Sequence, residues 1–272
     1  MEGRKKIWKK LLMAVLVLMS AAGLAVIIQK NLDYKKGADD YSEAEQIAGI
    51  QEWGKPVKGE PTGQEKGQEK KSEESAIEDP YMQSLSGMDL GPLQEINDDV
   101  MGWIIIPNSQ VSYPVLQGED NSYYLNRTWK KEKSAVGSIF LECEVSRDLS
   151  DFNTIIYGHK MRNGSMFGSL EKYKEESYWR DHPSVYLVSA EGVRRYDVYA
   201  AYEAGVRDIT YGLKIKDQEK KEELIRFGKD QSDIDTGIEP TADDRILTLS
   251  TCTGRGYRTR WVVQAVEYRE NQ

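Results

Sequence analysis

The chain has 272 residues, with 37 Lys and Arg against 45 Asp and Glu, a formal net charge of −8. That length fits one domain or two small ones, and the acidic balance argues against nucleic acid as the main partner, which leaves a basic footprint. Two cysteines are too few for a disulfide scaffold, and two histidines leave few possible Cys–His pairings.

Residues 1–10 carry Arg4, Lys5, Lys6, Lys9 and Lys10, and an uncharged apolar run follows at 11–28. A bilayer-crossing helix needs about 17–25 such residues. The basic flank predicts a cytoplasmic tail at 1–10, a single-pass membrane span at 11–28, and everything beyond it outside the cell membrane. Ser20-Ala21-Ala22 would suit a signal-peptide cleavage, but the apolar stretch runs on to Ile28, so an uncleaved anchor is expected. Residues 29–80 read as a disordered extracellular linker. From about Asp33 onward apolar side chains are sparse, and residues 63–71 nearly repeat a Gly-Gln-Glu-Lys unit. Such a stretch cannot bury enough surface to offset its ordering entropy.

Residues 81–272 read as the globular part of the chain. Leu93-Gln94-Glu95-Ile96-Asn97 predicts a short helix leading into a strand at 103–106 that ends at Pro107-Asn108. Further short, β-branched or aromatic runs lie at 138–141, 153–157, 184–188, 195–202, 245–250 and 260–266. Many strands and few helices predict a mainly β fold, a barrel or a sandwich. Residues 217–227 interrupt them as an amphipathic helix carrying Leu224, Ile225 and Phe227.

Cys252 closes the run Leu247-Thr248-Leu249-Ser250-Thr251 and precedes a Gly- and Arg-rich loop, a setting that favours a thiolate. Taken alone, it is as compatible with a buried small hydrophobe. His159 also follows a strand, before a polar loop, whereas His182 lies in the turn Arg180-Asp181-His182-Pro183 and reads as structural. Cys143 lies between Glu142 and Glu144, which disfavour its thiolate. Those two acids are a weak calcium signal and read as surface charge. No phosphate-binding loop, metal-ligand spacing or cofactor motif is apparent, so no metal or cofactor is expected.

Thr248-Leu249-Ser250-Thr251-Cys252 resembles the TLxTC signature of sortases. Asn153-Thr154-Ile155-Ile156-Tyr157-Gly158-His159 is similar to that family's histidine strand, and Arg260-Trp261-Val262-Val263 to its arginine strand. Tyr113-Pro114-Val115-Leu116-Gln117, Asp120-Asn121-Ser122-Tyr123-Tyr124-Leu125 and the helix near 217–227 look like class B, and no C-terminal membrane segment of the class C kind follows. The resemblance spans about residues 93–268. It implies a closed sortase-type barrel of roughly eight strands, with an N-terminal helix and a helix between the last strands, preceded by the membrane span. It implies a cysteine transpeptidase that cuts a C-terminal sorting motif after Thr and passes the protein to an amine of peptidoglycan or its lipid-linked precursor. Cys252 is implied as nucleophile, His159 as acid and base, and Arg260, among the three arginines 255, 258 and 260, as the oxyanion partner. Asn121, Leu125, Tyr157 and Ser250 are implied as substrate contacts. An exported cysteine protease and a non-catalytic, stalked surface-binding domain are the alternatives.

Overall fold

The computed structural model describes residues 2–50, 79–253 and 258–269. The N-terminal helix α1 covers Glu2–Ile47. It is long and apolar enough to cross a membrane, and its Leu12, Leu16, Met19, Val26 and Ile27 side chains are all exposed. Two short helices follow, α2 (Pro80–Leu85) and α3 (Gly91–Ile96). Then come β1 (Val100–Ile105), β2 (Ser112–Leu116), β3 (Ile139–Leu141) and β4 (Asn153–Tyr157). A short helix α4 (Glu176–Asp181) leads into β5 (Ser184–Ser189) and β6 (Gly192–Gly205). Helix α5 (Gln218–Gln231) precedes β7 (Ile246–Cys252) and β8 (Thr259–Glu267).

The strands close into one barrel in the order β1-β2-β3-β4-β7-β8-β6-β5. The β2–β3 and β4–β7 neighbours are parallel and the rest antiparallel. Trp103, Val115, Ile139, Leu187 and Leu247 belong to the main core. A second apolar layer joins Leu224 and Ile225 of α5 to Tyr199, Tyr202 and Val262 of the sheet. Polar residues of β7 and β8 are therefore buried as well. Gln264 is fully buried, accepts from the Tyr199 and Tyr202 hydroxyls at 2.9 and 3.0 Å, and donates to Thr248 Oγ1 at 3.2 Å. Buried amide and hydroxyl groups need such partners.

Two expectations change. The segment at 29–80 is not a spacer throughout, because α1 continues to Ile47 and its last turns dock on the barrel. Tyr41, Ala44, Ala48 and Ile50 are buried. The Tyr41 hydroxyl donates to the Gly137 carbonyl at 2.6 Å, and Trp129 Nε1 donates to the Asp40 carbonyl at 2.8 Å. Those few anchors stand among charged residues such as Lys36 and Glu43, which pair with Glu132 and Lys130 on the barrel side. The remaining part of that segment, 51–78, with the near-repeat, lies outside the described residues. The other change is β2, which the strand pattern passes over because Pro114 lies within it. Pro114 pairs with Trp103 on one side, while the ladder to β3 begins only at Val115, so the missing N–H is tolerated.

Candidate active site

Strand register assembles the site. Tyr157 of β4 pairs with Ser250 of β7 in parallel, and the Gly158 N–H continues the ladder to the Ser250 carbonyl at 3.1 Å. Two residues past the Tyr157–Ser250 pair on each strand stand His159 and Cys252, so the ladder delivers imidazole and thiol to the same barrel end. The antiparallel β7–β8 pairing then sets Arg260 opposite Cys252. Of the rival arginines, Arg258 is exposed outside the strand, and Arg255 lies outside the described residues.

All the residues named from sequence line one cavity of ≈ 200 Å³: Cys252, His159, Arg260, Asn121, Leu125, Tyr157 and Ser250, together with Phe140. A larger cavity of ≈ 380 Å³ between α5 and residues 239–243 contains neither thiol nor imidazole. Leu125 is 43% exposed, so it belongs to the cavity rim and not to the core.

Thiol and imidazole each shift the other toward its charged form. A hydrogen bond with His159 holds the Cys252 thiol below its ordinary range, burial opposes this, and the Arg260, His159 and Lys160 charges add to the lowering. The same bond with Cys252 raises the His159 pKa, against burial, with help from the Leu125 carbonyl. His159 Nε2 lies 2.6 Å from that carbonyl. A carbonyl only accepts, so Nε2 carries a proton and Nδ1 is left for the thiol. Gly137 stands behind the ring with φ +63, and a Cβ there would lie 2.8 Å from His159 Cδ2. A thiol between an imidazole and a guanidinium is an arrangement for nucleophilic attack on a carbonyl.

The remaining thiol and imidazole are placed elsewhere. Burial, then the hydrogen bond to Glu142 and the charges of Glu142 and Glu144, push the Cys143 thiol up. His182 stacks on Tyr178 at 3.9 Å, with Nδ1 and Nε2 at 2.7 and 3.1 Å from the carbonyls of Tyr178 and Asn108. Two neighbours of the cavity escaped the sequence reading. Tyr211 shares a 2.9 Å hydrogen bond with Ser250, and burial raises its pKa to about 12. Glu142, read as surface charge, is only 5% exposed and binds both Asn121 and Tyr157. Its sole sequence signal is an acid directly after the apolar strand β3. Among the described residues no acid, His and Cys cluster could hold a metal ion.

The Sortase domain family model matches residues 104–268. A sortase B of Listeria monocytogenes is 35% identical over 178 residues, covering 65% of this chain and 72% of the relative. Among solved structures, a Staphylococcus aureus sortase B–substrate complex superposes with a TM-score of 0.68 at 26% identity, covering 88% of this chain and 99% of that one. Clostridium perfringens sortase B superposes with a TM-score of 0.61 at 32% identity, covering 65% and 98%.

Proposed function

This chain belongs to the sortase family, and on that premise we propose that it is a membrane-tethered transpeptidase of the sortase B kind, working through a Cys252 thioester. The observation that carries the reading is the single cavity shared by Cys252, His159 and Arg260, in which His159 and Arg260 both lower the Cys252 pKa.

The Cys252 thiolate attacks the carbonyl of a threonine in a C-terminal sorting motif. Arg260 offers fixed positive charge to the oxyanion that develops, an effect worth about 3–4 kcal/mol where such donors have been removed. The carbon–nitrogen bond breaks, and the His159 imidazolium protonates the departing amine. An amine of peptidoglycan or its lipid-linked precursor then attacks the thioester carbonyl, gives its proton to His159 and releases Cys252. Asn121, Leu125, Tyr157 and Ser250 form the walls against which the peptide is held. The Staphylococcus aureus sortase B–substrate complex among the similar structures supports reading the cavity as a substrate site.

Residues 11–28 of α1 serve as the single-pass anchor, with the basic tail at 1–10 in the cytoplasm and the barrel outside. Substrates are secreted proteins bearing the motif. The test is cleavage of a Thr-containing sorting peptide by the parent and by Cys252→Ala: activity is lost in the variant while the thermal unfolding of the barrel is kept. Cleavage by the alanine variant would overturn the reading.

A further inference from the structure

We infer that Glu142 is a positioning residue of the peptide cavity, a buried carboxyl group that orients the Asn121 amide and the Tyr157 hydroxyl without itself touching substrate. The inference rests on the transpeptidase reading and deepens it.

Glu142 follows β3 and is held by main-chain bonds to its neighbours. Its N–H donates to the Ile155 carbonyl at 2.9 Å, and its own carbonyl accepts from Gln117 Nε2 at 3.1 Å. Its side chain is 5% exposed, and a buried carboxyl group must be met by donors. Asn121 Nδ2 donates to Oε1 at 2.5 Å and the Tyr157 hydroxyl to Oε2 at 2.9 Å. The Cys143 thiol reaches Oε1 at 3.3 Å, and the Glu144 N–H at 3.4 Å. Asn121 and Tyr157 line the Cys252 cavity, whereas Glu142 lies behind them.

The consequence is a fixed polarity of the cavity wall. The Cys143 N–H donates to Asn121 Oδ1 at 2.9 Å. With Nδ2 turned to Glu142, only one orientation of that amide satisfies both contacts. One Nδ2 proton remains for a ligand. Tyr157 has a single hydroxyl proton and spends it on Glu142, so its oxygen faces a ligand as an acceptor. The wall thus presents one N–H donor and one oxygen acceptor, the complement of a peptide group. Without Glu142 the hydroxyl is free to rotate and the amide to flip, and either change turns an attraction into a clash of like groups.

Glu142→Gln keeps the shape and replaces one oxygen by an NH2 group, which confronts a donor if turned to Asn121 and, if turned to Tyr157, makes the hydroxyl accept and releases its proton toward the ligand. The full chain in detergent is assayed on a fluorogenic peptide panel with threonine before the scissile bond, and Cys252 reactivity is followed separately with a methanethiosulfonate probe. Glu142→Gln lowers kcat/KM about tenfold or more through KM, while the rate and pH profile of Cys252 labelling stay those of the parent. Tyr157→Phe, which keeps the carboxyl group and removes its donor, raises KM in the same direction. In an Asn121→Ala, Tyr157→Phe background the effect of Glu142→Gln disappears, because the groups it orients are gone. An unchanged KM in both single variants overturns the inference, as does a full additive loss in the combined background. A parent chain that cleaves no peptide of the panel overturns the transpeptidase reading itself, and the inference falls with it.

Discussion

Cys252 and Arg260 face one another across the last rung of the β7–β8 ladder. The register of that ladder brings a fixed positive charge next to the thiol, where the proposed mechanism places a thiolate and then an oxyanion. Replacing Arg260 by Ala should reduce kcat by about 10²–10³. Arg260→Lys keeps charge but loses the planar fork and should recover only part of the rate. Arg258→Ala, outside the strand, should leave kcat at the parent level. Steady-state rates on a sorting peptide decide this, and a loss that follows Arg258 instead would move the oxyanion role.

The thiol–imidazole pair predicts a pH window. Hydrogen bonding to His159, then the Arg260 and Lys160 charges, lower the Cys252 pKa from an ordinary 9.0. The thiolate is therefore present above that lowered value and lost as pH falls through it. The His159 pKa is raised from 6.5, so the imidazolium is present below the raised value and lost as pH rises through it. The two groups titrate as one coupled pair, so activity falls on the acid side as the thiolate is lost and on the alkaline side as the imidazolium is lost. Methanethiosulfonate labelling of Cys252 should show an acid limb below pH 9.0, which His159→Ala shifts upward. A limb that does not move in that variant would sink the pairing.

Gly137 lies directly behind the His159 ring. Its φ of +63 and the 2.8 Å separation between an added Cβ and His159 Cδ2 leave no room for a side chain. Gly137→Ala should cost about 1–2 kcal/mol for the left-handed backbone alone. By displacing His159 and the Leu125 carbonyl, it should also reduce kcat by about tenfold or more. Denaturant unfolding and kinetics together test this, and a kcat equal to the parent's would contradict it.

Much of the barrel was legible because short β-branched runs bounded by turns match the strands closely, and because β4, β7 and β8 each carry a distinctive residue at the same end. Other features depend on partners far away in sequence. Pro114 hides β2 until its ladder is seen. Glu142 looks like an exposed acid just past the apolar strand β3, and only the approach of Asn121 and Tyr157 makes it a buried one. The end of α1 has a solvated composition, yet Gly37 lies so close to Val136 that an added Cβ would meet its Cγ2 at 2.7 Å.

That docking has its own prediction. Tyr41 packs edge-on against Tyr113 at 5.3 Å and donates to Gly137. Tyr41→Ala should destabilise the barrel by about 3–5 kcal/mol, as large aromatic truncations do. Chemical denaturation in detergent would show it. An unfolding midpoint equal to the parent's would mean that residues 29–50 behave as a spacer after all.

The central claim is that Cys252 carries an acyl group from one chain to an amine. Intact-protein mass spectrometry of the full chain with a sorting peptide, followed by an added amine, tests it directly. The account predicts a peptide adduct located on Cys252, its disappearance when amine is supplied, and an amide product joined to that amine. Cleavage without any adduct on Cys252, or a product that stays the hydrolysed acid whatever amine is present, would contradict it.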